Sequence, residues 1–446
     1  MADDLTAATT VRRTGENAPD SVGTAPGGTA APAVPRRLWW LPALGLVLVA
    51  FNLRPAITGL GPLLAEVRSA LGMSGTVAGL LTSAPALCFA VFGSAAPRLA
   101  RRWGAAAVVL AGTAAVTAGL ALRPLAGGTG GFLAASALAL AGIAACNVLL
   151  PVIVRQRFPG RTGTMTGLYS MALSLGTASA AALTVPVTEA LGGDWRPGLG
   201  MWALPGALAL LVWLPAVRGT RRAASPGAGG PGRSGKRGGR GGYGGRAGDE
   251  AEPGIRITRS ATAWTLGIFF GFQSTAAYIT MGWLPQIFRD AGVPASTAGL
   301  LLAVTMGLSI PLSFLLPRIA ARLGHQGPLA AVLALCGLGG YAGLWFAPAQ
   351  GAWVWVVLLG VSNGAFPLAL TLIGMRARTG AGVVRLSAFA QGTGYLISVP
   401  GPLLVGSLHQ HTGGWHAPLA LMAALMAAQL AVGLLAGRNR YVEDGG

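Results

Sequence analysis

The most informative dipeptide in this chain is Arg54-Pro55, a permanent cation and a helix-breaking residue set inside an apolar stretch between Trp40 and Glu66. At 1.5 Å of rise per helical residue, Arg54 lies about 18 to 21 Å from either end of that stretch, too deep for its side chain to reach water. On insertion scales an arginine at such depth costs about 2.5 to 3.5 kcal/mol, so it must face an interior and find acceptors there. Two sources of acceptors are open. Pro55 has no N–H and its ring crowds the carbonyl four residues back, which frees the Phe51 carbonyl for a hydrogen bond. Alternatively, the planar fork of guanidinium donors meets a planar or linear anion in a central cavity. A protein counter-ion is not available at depth. The carboxylates all fall in terminal or loop segments or near helix ends, with Glu66, Glu189, Asp194 and Asp290 closest to the apolar runs. A proton relay through a midplane acid therefore has little to work with.

Other polar side chains at comparable depth are Asn52, Asn147, Tyr169, Gln273, Tyr278, Asn363, Gln391 and Tyr395. Taken singly, each either ties helices together by a hydrogen bond or contacts a solute. As a set they are expected to line one substrate cavity with Arg54, and Gln391 and Tyr395, four apart, share a helix face. His409, His411 and His416 share a late loop, but their spacing fits no metal site and no Cys or acid joins them. Cys88, Cys146 and Cys336 lie inside apolar runs and read as packing residues. No nucleophile with a base stands at depth, so the expectation is no enzyme, no metal and no cofactor.

These residues need helices in lipid to position them. Apolar residues make up 53% of the 446 and charged residues only 10%, with a mean hydropathy of +0.60, whereas soluble domains carry about a quarter charged residues. Twelve apolar runs can be traced, each near the roughly 20 residues that span a bilayer as a helix. Of the 32 Lys and Arg, all but Arg54, Arg68, Arg123, Arg196 and Arg289 fall on the side of the N-terminus. By the positive-inside rule both termini are then cytoplasmic. Residues 218–260 form one long basic Gly/Arg-rich interruption that divides six runs from six. The organisation expected is a cytoplasmic tail (1–37), a six-helix bundle (38–217), a linker (218–260), a second bundle (261–437) and a short tail (438–446).

The halves repeat each other. Pro97-Arg-Leu-Ala-Arg-Arg-Trp-Gly104 returns as Pro317-Arg-Ile-Ala-Ala-Arg-Leu-Gly324, and Ala78-Gly-Leu-Leu81 as Ala298-Gly-Leu-Leu301, both at an offset of 220. Asn147 and Pro151 match Asn363 and Pro367. The linker's net positive charge does not imply nucleic acid. A single aromatic, Tyr243, interrupts its Arg-Gly pattern, and a flexible basic loop or attraction to anionic lipid headgroups explains it better. Gly230 to Lys236 has phosphate-loop spacing, yet Arg237 stands where a Ser or Thr must bind magnesium, which excludes a nucleotide site.

Asn52-Leu-Arg-Pro-Ala-Ile-Thr-Gly-Leu-Gly-Pro-Leu-Leu64, with Leu71-Gly-Met-Ser74, Ala78-Gly-Leu-Leu81 and the Pro97–Gly104 loop, resembles the cyanate-permease and nitroimidazole-transporter branch of the major facilitator superfamily. The resemblance implies an all-α membrane protein of twelve transmembrane helices in two pseudo-symmetric six-helix bundles. It also implies a secondary transporter in a bacterial-type cytoplasmic membrane, a single chain forming the transport unit, with a small anionic or nitrogen-rich solute as its partner. The loop arginines Arg98 and Arg102, with Arg318 and Arg322 in the second half, occupy the family's gating-loop position, but Pro97-Arg98 replaces the usual acidic-basic pair. Pro55, Pro151 and Pro367 are the expected bending points. Rival readings are a multidrug or metabolite exporter, disfavoured by the missing midplane acids, and a membrane sensor that does not transport.

Overall fold

The structure, a computed structural model, describes residues 40–158, 161–223 and 257–445. The N-terminal tail and residues 224–256 of the linker lie outside the described residues. In chain order the first half contains α1 (Trp40–Asn52), α2 (Pro55–Thr58), α3 (Leu64–Leu71), α4 (Gly75–Trp103), α5 (Ala105–Leu122), α6 (Thr129–Arg157), α7 (Thr162–Ala190), α8 (Trp195–Gly200) and α9 (Ala203–Ala223). The second half contains α10 (Ala261–Asp290), α11 (Ala295–Gly307), α12 (Ser309–Arg322), α13 (Gly327–Phe346), α14 (Ala352–Ser362), α15 (Ala365–Met375), α16 (Gly380–Ser398), α17 (Pro400–Thr412) and α18 (His416–Ala436). Ten helices among the described residues are long and apolar enough to cross a membrane, several built from two or more of these segments, such as Pro42–Leu71 and Ala352–Met375. Helix α10 and the α16–α17 pair are additional long helical stretches. Large apolar side chains such as Leu204, Leu211 and Phe346 stand 71%, 69% and 83% exposed on the outside, a surface suited to hydrocarbon and costly in water.

The breaks within spans follow from proline. A proline at position i denies a hydrogen bond to the carbonyl at i−4 and crowds it. Pro55, Pro311, Pro367 and Pro400 each sit just beyond an interruption, at Leu53–Arg54, Leu308, Asn363–Gly364 and Val399 respectively. Pro151, by contrast, sits within the unbroken α6, so two of the three expected bending points coincide with breaks. Short connections are set by local chemistry. Helix α3 ends on Gly72 in the left-handed conformation (φ 61°), and two residues later the Ser74 hydroxyl accepts a hydrogen bond from the Val77 N–H to start α4.

The halves press together at one end, the end remote from the linker. A Cβ on Gly79 would lie 2.8 Å from the Leu403 Cα, and one on Gly299 2.5 Å from the Ala181 carbonyl oxygen. Side chains reinforce this closure: Arg289 pairs with Glu66 at 2.7 Å and donates to the Pro62 carbonyl at 2.9 Å, and the Gln410 side chain accepts from the Thr76 N–H at 3.0 Å. At the linker end Arg376, 1% exposed, holds the second half's termini together. It donates to the side chains of Gln326 and Asn439 (2.9 Å) and to the Gly437 carbonyl (3.1 Å). Burial lowers its pKa from the ordinary arginine value, and the Tyr441 phenol partly offsets that.

Candidate functional site

Arg54 sits in the interruption between α1 and α2, with φ −110° and ψ −31°. Its carbonyl is used locally, accepting from the Ile57 and Thr58 N–H groups and from the Thr58 hydroxyl at 3.1 Å. Its guanidinium makes no hydrogen bond or ion pair among the described residues, and the residue is only half-buried. The carbonyl freed by Pro55 is not its acceptor. Phe51 instead packs its carbonyl against α7, where a Cβ on Gly176 would lie 2.0 Å from that oxygen.

The guanidinium lies within electrostatic range of the phenols of Tyr278 on α10 and Tyr395 on α16. Tyr395 is held from both sides, stacked on Phe89 of α4 with centroids 5.1 Å apart and met edge-on by Phe270 at 5.2 Å. Cys88 lies within electrostatic range of Tyr278. A fixed cation, two phenols and a ring wall thus meet where the halves face each other. That arrangement can hold a small planar or linear solute bearing acceptors, through charge-assisted hydrogen bonds and stacking.

The other expected site residues divide. Asn52 is buried and turned into the first half, where a Cβ on Gly206 would lie 2.4 Å from both its Nδ2 and the Thr117 hydroxyl; both its amide atoms lack partners. Gln273 is likewise turned into its own half and accepts from Gln429 at 3.1 Å. Gln391 donates to Ser387 one turn back on α16. Asn363 ends α14 at the break, Asn147 is partly buried with an unpartnered Nδ2, and Tyr169 packs at the edge of the first half's core. The loop arginines Arg98, Arg102, Arg318 and Arg322 are exposed at the linker end, and Arg102 lies over the Trp103 ring. His409 stacks on Trp415 and approaches Asp290, and no His, Cys, Asp or Glu cluster among the described residues is placed to hold a metal.

Two features of the interior do not stand out in the sequence. The Glu66–Arg289 pair joins positions 223 residues apart. Arg123, read from its position as a loop charge, is 1% exposed with its guanidinium folded inward from the 3-10 turn after α5. A faint signal was present: Arg123-Pro124 repeats the Arg-Pro dipeptide of Arg54-Pro55, but so does the exposed Arg196-Pro197.

Apolar helices broken by prolines around an interior polar cluster define a multi-pass membrane protein of the carrier type. The chain belongs to the Major Facilitator Superfamily, whose family description matches residues 46–398. It is 34% identical over 411 residues to the uncharacterized transporter YycB of Bacillus subtilis (strain 168), covering 91% of this chain and 95% of that protein. Against the 2-nitroimidazole transporter of Escherichia coli (strain K12) it is 34% identical over 406 residues, 89% of this chain and 95% of the relative. The cyanate transport protein CynX of the same organism is 30% identical over 374 residues, 83% and 91% of the two chains. Among solved structures, a bacterial homologue of the human lysosomal transporter Spinster, inward-facing and occupied, superposes with a TM-score of 0.70 at 15% identity over 93% of this chain and 99% of that one. The D-xylose-proton symporter gives 0.64 at 12% identity, over 92% and 98%. The relatives and the family are transporters and not enzymes.

Proposed function

We propose that this protein is a secondary transporter of a small anionic or nitrogen-rich solute, of the cyanate, nitrate or nitroimidazole kind, working by alternating access in a bacterial cytoplasmic membrane. A single chain of twelve spans, with both termini cytoplasmic, is the transport unit. The observation that carries this reading is the Arg54 guanidinium, unpartnered among the described residues and within electrostatic range of Tyr278 and Tyr395 where the halves meet. The names of the two Escherichia coli relatives point to the same solute size and polarity. Asn147, Tyr169, Asn363 and Gln391 extend the cavity wall in this reading, while Asn52 and Gln273 hold the geometry of their own halves. The tight contacts remote from the linker support an inward-facing conformation, with the breaks at Pro55 and Pro367 as bending points. The exposed arginines Arg98, Arg102, Arg318 and Arg322 mark the cytoplasmic loops that part and rejoin.

Uptake of labelled cyanate, nitrate and 2-nitroimidazole into proteoliposomes, with and without a pH gradient, tests this directly. A charge-assisted hydrogen bond contributes about 1.5 to 3 kcal/mol, so Arg54→Gln is expected to weaken anion uptake about 10- to 150-fold at limiting concentration. Arg54→Lys, which keeps charge but loses the fork, falls between. Wild-type uptake by a folded Arg54→Gln protein removes Arg54 from the site.

A further inference from the structure

A cavity of about 20 Å³ lies between the halves, lined on one side by Ala56 and Gly61 of the first span and on the other by Tyr278 and Gly282 of α10. It is large enough for about one water. Its wall runs along the first span from just beyond Arg54 to just before Pro62, the residue that Arg289 grips. It therefore occupies the stretch between the central cluster and the closed end, and Tyr278 borders both. The one charged residue lining it is Arg123.

Arg123 is tightly held. Its Nε donates to the Ser136 hydroxyl at 2.9 Å, its Nη1 donates to the Ala56 carbonyl at 2.7 Å, and its guanidinium lies 5.6 Å from the Phe132 ring centroid. Both acceptors are neutral, Nη2 has no partner among the described residues, and no carboxylate among them pairs with it. Joining a carbonyl to a hydroxyl requires a donor and not a full charge, and a buried charge without a counter-ion is expensive. The position of the charge, at the edge of a cavity between the halves, gives it a use.

We propose that Arg123 is a second anion contact, taking the solute on the leg of the path between Arg54 and the end that is closed in this structure. The proposal rests on the reading of the chain as an anion carrier. Arg54 and Arg123 then form two stations on one route, both contributed by the first half, with Tyr278 of the second half between them. Passage from one to the other exchanges one guanidinium for another and avoids leaving the anion unpaired at depth.

The test uses the full chain in detergent and in proteoliposomes, with nitrate as the binding probe and cyanate as the transported one. Nitrate stabilises a protein that binds it in the folded state, so the shift of Tm with nitrate concentration reports affinity. Arg123→Gln is expected to weaken nitrate binding about tenfold or more. It should also raise the KM for cyanate more from the side closed in this structure than from the linker side. Arg123→Lys retains part of the affinity. Ser136→Ala, which removes the acceptor of Nε but leaves the charge and the Nη1 bond to the Ala56 carbonyl, keeps nitrate affinity within about threefold of wild type. Equal losses in Ser136→Ala and Arg123→Gln, or wild-type nitrate affinity and KM in Arg123→Gln, overturn the proposal. If Arg123→Gln does not fold, Arg123→Lys and Ser136→Ala carry the comparison, and a nitrate affinity lost in both overturns it. Failure of the underlying reading looks different: Arg54→Gln transports cyanate normally, whatever Arg123→Gln does.

Discussion

Removing the Glu66 carboxylate should unlatch the end of the molecule remote from the linker. The Arg289–Glu66 pair is doubly bonded, Nη2 to Oε1 at 2.7 Å and Nη1 to Oε2 at 2.8 Å, and its side chains are 23% and 31% exposed. Exposed pairs contribute about 0.2 to 1 kcal/mol, and breaking a fully buried pair costs about 3 to 5 kcal/mol. A bidentate pair at intermediate exposure belongs between these limits, at about 1 to 2 kcal/mol. The two residues stand on opposite halves, so alternating access predicts that the pair exists only while this end is closed and that its free energy acts wholly on the conformational equilibrium. At about 1.4 kcal/mol per tenfold, Glu66→Gln then raises the ratio of opened to closed molecules about 5- to 30-fold. Distances between spin labels at Leu125 and Phe346, exposed residues at this end of each half, measure that ratio once the three native cysteines are replaced. Arg289→Gln should do at least as much, because it also releases the Pro62 carbonyl. A distance distribution in both variants that matches wild type would refute the reasoning. So would a variant whose Tm falls without any gain in the long-distance population, since the pair would then stabilise the fold and not one conformation.

Two further outcomes test the packing that holds the site. Gly176→Val places a side chain where even a Cβ would lie 2.0 Å from the Phe51 carbonyl oxygen. Overpacking of this kind costs about 1 to 3 kcal/mol, read as a lowered Tm, together with weaker binding because α1 leads directly into Arg54; an unchanged Tm would mean α1 and α7 separate easily. Arg376→Ala removes three hydrogen bonds from a side chain that is 1% exposed and is expected to cost about 2 to 4 kcal/mol of stability. The KM of the protein that does fold should stay at the wild-type value, because nothing in this knot reaches the central cluster.

The spans were legible because a bilayer demands long apolar runs, and those runs need no tertiary information to be seen. Arg54 was legible for the same reason: a charge within such a run has no cheap explanation. Arg123 and Arg376 were not, because at the ends of runs a charge normally reaches water, and only the 3-10 turn after α5 and the convergence of α13, α15 and α18 fold these two inward. The Glu66–Arg289 pair was invisible because nothing local relates residues on different halves. The positions of the breaks could be read from proline, but Pro151 shows that a helix can absorb the lost hydrogen bond without interruption.

What sequence depth cannot supply is azimuth. A helix turns about 100° per residue, so two positions at the same depth can face opposite ways. Asn52 and Arg54, two apart, point about 200° from each other on an ideal helix, and in the structure one is buried against Thr117 and Gly206 while the other is half-exposed near the two tyrosines. Gln273 and Tyr278, five apart, differ by about 140°, and Gln273 pairs with Gln429 while Tyr278 lies near Arg54. Gln391 and Tyr395, four apart, differ by only about 40° and do share a side of α16. Periodicity applied to pairs would therefore have separated the buried amides from the cluster. Asn52 and Gln273 stand 221 residues apart, next to the repeat offset of 220, and this near-equivalence takes on a packing meaning: each half turns one amide into its own interior, and the charge at the interface comes from the first half's arginine, for which the second half has no counterpart, since the corresponding positions around Gln273 carry no cation.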